Sequence, residues 1–198
     1  MTVVADTRLY ARLATACTIA AVAMSVPPLR SLIEQSMAWH MVFQMPLLVL
    51  SGWLAAQALP PLRWLQGLAD FNYFGLTGFM AAQAIIAYWM LPLAVDRAVV
   101  LLPVDALKLL TLFTSGLLLA DAFKCAPPAL QLFFIGYWVS MMAWLGIYFS
   151  TTDLRLCNAY SLQSQVATGW GLLTLGVGLG AAWLAGAWRA ANKTLLNK

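Results

Sequence analysis

The chain has 198 residues, of which 63% are hydrophobic and 9% charged, with a net charge of +4; mean hydropathy is +0.82. So little charge cannot solvate the surface of a water-soluble globule of this size, which excludes that class and points to a lipid bilayer as the partner that covers the chain. The positive balance is scattered, with no basic stripe that could follow a phosphate backbone, so no nucleic acid is expected.

The apolar residues run continuously instead of alternating with polar ones, which selects helices over a closed barrel. In chain order the runs fall near 13–26, 37–59, 74–95, 99–120, 129–149 and 166–188. Each approaches the roughly twenty residues that cross a hydrocarbon core, the first being the shortest. The expected fold is therefore all-α: a polytopic membrane helix bundle of about six transmembrane helices, forming a single integral membrane domain over residues 1–198. The first run has a basic flank and an apolar core like a signal peptide, but it lacks a good small-residue cleavage pattern and is read as a retained span. Pro27-Pro28, Pro60-Pro61 and Pro127-Pro128 sit in the breaks, where a fixed φ and a missing amide proton start or end helices.

Arg8, Arg12, Arg63, Lys124, Arg189, Lys193 and Lys198 fall on one side of this topology and Arg30, Arg97 and Arg155 on the other. That bias places both termini in the cytoplasm and the chain in the cell inner (plasma) membrane. It also gathers His40, Met90, Asp96, Asp105, Lys108, Asp153 and Gln165 into the outer half. Trp39, Trp89, Trp144 and Trp170 are expected at the outer interface, Trp64 and Trp188 at the inner. Cys17, Cys125 and Cys157 have no metal-ligand spacing, and Cys125 and Cys157 fall on opposite sides, so no disulfide is expected.

The second run opens MAWHMVFQMP, which contains the single histidine. At helical spacing Met37, His40, Met41 and Gln44 share a face, with Met45 at its edge. Imidazole with thioethers suits copper(I), and Met90 is placed to join from across the bundle. A histidine in a membrane helix also serves as a structural hydrogen-bonding group, and both readings are open at this point. Pro46 is expected to kink the helix below His40 by freeing the Val42 carbonyl. Asp105 and Lys108, three apart in the fourth run, read as an ion pair in preference to a proton relay. Gly176 and Gly180 form a GxxxG that lets another helix approach. No phosphate-binding loop, nucleophile elbow or HExxH is present, so no enzymatic role is expected.

Several segments together resemble the CtaG-like family of caa-type cytochrome c oxidase assembly factors. HMVFQMPLLVLSG is similar to that family's second-helix signature through His40, Met41 and Met45, with Gln44 where a second histidine would stand. YWMLPLAVDRAVV matches through Trp89, Leu91, Pro92 and Asp96. The following helix retains Gly116-Leu117-Leu118, but Asp105 and Leu109 occupy the places of a histidine pair. NAYSLQSQVATGWGLL fits through Tyr160, Gln165 and Gly169, with Ser164 in place of an aspartate. The resemblance covers residues 37–186 and implies a membrane protein that supports assembly of the copper centre of a haem-copper oxidase at the outer face. Copper would then be the cofactor, and His40, Met41, Met45, Met37, Gln44 and Met90 its site. Because most of the family's ligand positions are changed, the alternative is an accessory or scaffold subunit of a respiratory membrane complex that has lost the metal.

Overall fold

The computed structural model describes residues 2–33, 36–58, 72–156 and 160–196, and among these every regular element is helical. Helix α1 (Thr2–Ala23) and the short α2 (Leu29–Ile33) precede a π-helical segment, Trp39–Gln44, that continues into α3 (Met45–Ala58). A 3-10 turn (Tyr73–Gly75) leads into α4 (Leu76–Trp89), followed by α5 (Pro92–Val100), α6 (Leu102–Cys125), α7 (Pro128–Thr151) and α8 (Leu162–Leu196). Prolines account for several boundaries. Pro92, Pro103 and Pro128 each stand in the first turn of a helix, where the absent N–H has no partner to lose.

Four helical stretches are long and apolar enough to cross a membrane: Trp39–Ala58, Leu102–Cys125, Pro128–Thr151 and Leu162–Arg189. A fifth is possible as a broken span, Tyr73–Trp89 with Pro92–Val100, bent by 71°. Large apolar side chains such as Leu110, Phe133, Trp144, Val177 and Leu184 are exposed around the outside, as a protein covered by lipid requires. The chain is thus an all-α membrane protein.

The expected continuous third span is divided at Met90-Leu91, because Pro92 cannot donate within a continuing helix. Helix α1 starts well before the expected run and ends before its limit, and it is not among the stretches apolar enough to span; Asp6, Arg8 and Arg12 all lie in its first half.

Helix α6 is the centre of the bundle. It packs parallel to α3 on one side, His40 meeting Lys108 and Gly52 meeting Gly116, and antiparallel to α4 on the other, Gly78 meeting Ala122 and Trp89 meeting Thr111, while α1 covers the other side of α3, and α7 and α8 form a hairpin beside them. The α3–α6 contact is made by small residues: a Cβ added to Gly52 would lie 2.0 Å from the Phe113 carbonyl oxygen, and one on Gly116 2.0 Å from that of Val49. Helices α7 and α8 meet in the same manner at Gly146 and Gly169. Lipid offers little hydrophobic drive between helices, so this backbone approach and the dispersion contacts it permits are what hold them. The expected Gly176 and Gly180 do face α7, against Met142 and Val139, with a looser fit. Phe79 and Phe134 stack at 4.5 Å between centroids and tie α4 to the hairpin. Gln131 closes the base of the hairpin, its amide donating to the Phe123 and Ala126 carbonyls at the end of α6 and accepting from the Trp183 indole.

Candidate functional site

Pro46 determines the local backbone at the single histidine. Its nitrogen carries no proton for the Val42 carbonyl, and the turn ahead of it widens: the Met45 N–H bonds the His40 carbonyl, five residues back. The expected kink is therefore a π-helical segment. Its start is fixed from another helix, since the Met37 N–H donates to the Ser164 hydroxyl at 2.5 Å. Ser164 acts as the acceptor for an otherwise unmet helix N–H.

This segment aims His40 and Gln44 at α6 and α1. His40 Nε2 lies 3.2 Å from Lys108 Nζ, and Lys108 donates to Asp105 Oδ1 at 2.5 Å. The Gln44 carbonyl oxygen is 3.5 Å from the same ammonium, while its amide nitrogen donates to the Ala21 carbonyl at 3.1 Å and to the Ser25 hydroxyl at 2.9 Å. Lys108 is 0% exposed, so its charge is stabilised by this set of partners in place of water. The network joins α1, the π-helical segment and α6 at one end of the bundle. Beside it a cavity of about 10 Å³, the room for one water molecule, is bordered by Ser25, Arg30, His40, Gln44 and Asp105. Arg30 also donates to the Val99 carbonyl at 2.6 Å, which anchors α2 on α5.

Comparison with known protein families, with characterised proteins and with solved structures finds no match for this chain. Its function must be read from the arrangement of its own residues.

The sequence-expected residues are distributed as follows. His40, Gln44, Met37, Met41, Met45 and Met90 are all buried. Met37, Met41, Met45 and Met90 all pack in the same hydrophobic core, and Met90 also borders a cleft between α4 and α7. Among the described residues no three His, Cys, Asp or Glu side chains converge as a metal group. The donor set does not fit a copper(I) ion in this arrangement. His40 Nε2 and Gln44 Oε1, two of the atoms it would use, are turned toward an ammonium, and Lys108 would have to leave before a cation entered.

The Asp105–Lys108 ion pair is present as expected. Lys108 as the partner of His40 was not legible, because the two are 68 residues apart and only the rotation of both helices brings them together. Ser25 and Arg30 were likewise missed; the signal available was their position just past α1, level with the start of the next helix. Gln165 serves the loop after α7, bonding the Leu156 N–H and the Leu154 carbonyl. Trp89 is buried within the protein, its indole donating to Thr111 at 2.8 Å across α4 and α6. Trp39, Trp144, Trp170 and Trp188 are exposed, and Trp64 lies outside the described residues.

Cys17 and Cys125 are free thiols, and Cys157 lies outside the described residues.

Proposed function

We propose that this chain is a non-enzymatic integral membrane protein, an accessory or assembly scaffold of a respiratory membrane complex such as a haem-copper oxidase. The observation that carries this reading is the Lys108 ammonium set between His40 and Asp105. The one imidazole is engaged in locking three helices together, which suits a rigid body that presents helix faces to a partner. The link to respiratory complexes rests on the resemblance of residues 37–186 to oxidase assembly factors. A copper-handling role remains the competing reading, and it requires Lys108 to give way.

One preparation tests both. The protein isolated in mild detergent is expected to bring down defined subunits of a respiratory complex and to contain far less than one copper per chain. One equivalent of copper(I) bound by the wild type and lost in His40→Ala would overturn the scaffold reading in favour of metal delivery. Co-purification that is absent, or equally strong with unrelated membrane proteins, would remove the respiratory assignment.

The same proposal includes six crossings, with α1 as the first, and both termini in the cytoplasm of a cell whose inner membrane holds the protein. Cys125, exposed at the end of α6, reports on this. In a chain with Cys17 and Cys157 replaced by serine, a membrane-impermeant maleimide should modify Cys125 only after the cells are permeabilised. Labelling of intact cells would invert the topology.

A further inference from the structure

Two short helices come together over the His40 network. Helix α2 stands between α1 and the π-helical segment, and α5 joins α4 to α6, so both lie at the end of the bundle where those longer helices turn. The cavity beside the network has Arg30 and Ile33 of α2 and Ala98 and Val99 of α5 on one side, and His40 and Asp105 on the other. The long elements thus supply its floor and the two short helices its roof.

What closes the roof follows from a proline. In a continuing helix the Val99 carbonyl would accept from residue 103, but that residue is Pro103 and has no N–H. Arg30 supplies the donor instead, its guanidinium bonding that carbonyl at 2.6 Å. Little else fixes the roof. Among the described residues α2 packs extensively against no other helix, and α5 is nine residues long and bent by 71° from α4. The buried residues of α5, Ala94, Val95 and Ala98, offer little apolar surface to hold it down. Leu91 and Leu101, at its two ends, have extended backbone. A helix set between two extended residues can tilt without unwinding its neighbours, as hinge motion requires.

The cavity selects its contents by size: about 10 Å³ admits one water molecule and no larger guest. A bare cation of that size would stand beside the Arg30 guanidinium. A water fits as both acceptor and donor, since Arg30 and Ser25 carry protons to give and the Asp105 carboxylate receives one.

We propose that this cavity holds one water, and that α2 and α5 form a gate, latched by Arg30 on the Val99 carbonyl, through which that water exchanges with solution beside the Asp105–Lys108 ion pair. A body that only locks helices together needs no such route. The inference therefore goes beyond the scaffold reading and stands or falls separately from it.

The test uses the full chain in detergent, with Cys17, Cys125 and Cys157 replaced by serine, and the small water-borne thiol reagent 2-aminoethyl methanethiosulfonate. Its rate of attack is followed by mass at a cysteine under the roof, Ala98→Cys, and at one on the exposed face of the same helix, Val100→Cys. With the latch intact, Ala98→Cys should react measurably but at least about tenfold more slowly than Val100→Cys, because it is reached only through local opening. Arg30→Met should raise the Ala98→Cys rate about tenfold, the weight of one charge-assisted hydrogen bond, and leave the Val100→Cys rate unchanged. Arg30→Lys keeps a donor and should hold most of the protection. Ala82→Cys, buried in the core on α4, should stay unreactive throughout; its labelling in Arg30→Met would mean general loosening and would count against a gate. Should Ala98→Cys fail to fold, Ser25→Cys reports from the wall of the same cavity. An Ala98→Cys rate untouched by Arg30→Met would overturn the latch. A rate equal to that of Val100→Cys would show an open cleft in place of a gate, and no reaction in any variant would show a sealed cavity that exchanges nothing.

Discussion

Replacing Gly116 by alanine is expected to destabilise the bundle by about 2–4 kcal/mol, an overpacking cost made larger because backbone and not a side chain must move. The added methyl would stand 2.0 Å from the Val49 carbonyl oxygen and 2.8 Å from the Trp53 nitrogen. Neither atom can rotate aside, so α3 and α6 must separate along their length. Two turns further along α6, the same separation would pull His40 and Gln44 away from Lys108. Gly52→Ala should act similarly, since its Cβ would meet the Phe113 carbonyl oxygen. Gly136→Ala supplies the control, because nothing lies within 4 Å of a Cβ there; its effect should stay within about 0.5 kcal/mol. Melting in detergent, followed by helical circular dichroism, measures all three. Equal stability of the Gly116 and Gly136 variants would mean that α3 and α6 are not in backbone contact.

The glycines also show what a single chain can and cannot reveal. A GxxxG places two small residues on one helix, and Gly176 and Gly180 were visible for that reason. The closest approaches instead pair one glycine from each helix, Gly52 with Gly116 and Gly146 with Gly169, and no spacing within either helix announces them. Prolines were more informative because their effect is local: Pro92, Pro103 and Pro128 mark helix starts, and Pro46 marks the distortion at His40, although the wider turn it produces was not foreseen. Counting spans brought His40, Asp105 and Lys108 to one end of the bundle. It could not show which of them touch, since that depends on helix rotation about its own axis, and the same missing quantity hid the burial of Trp89 against Thr111. The start of α1 was missed because it has neither a proline nor a break in composition to mark it.

The Asp105–Lys108 pair should show strongly non-additive energetics. Asp105→Leu leaves an ammonium that is 0% exposed, facing His40 and Gln44 without the carboxylate that paired with it. Breaking a buried pair in this way costs about 3–5 kcal/mol, because the remaining charge has lost water and counter-ion together. Lys108→Met should be milder, since the Asp105 carboxylate still borders a cavity shared with Arg30 and large enough for one water. The double variant Asp105→Leu/Lys108→Met removes both charges and fills their space with hydrocarbon, so it should return to within about 1 kcal/mol of wild type. A double-mutant cycle by reversible detergent unfolding measures the coupling, and simple additivity would mean that the pair is solvated. The double variant then separates two uses of the network. A scaffold needs only the rigidity that the pair supplies, and a stable double variant should still bring down its respiratory partner. Loss of the partner's assembly from a double variant that folds normally would instead show that the charges themselves act, and the scaffold reading would give way to one in which Lys108 and Asp105 carry a proton or an ion.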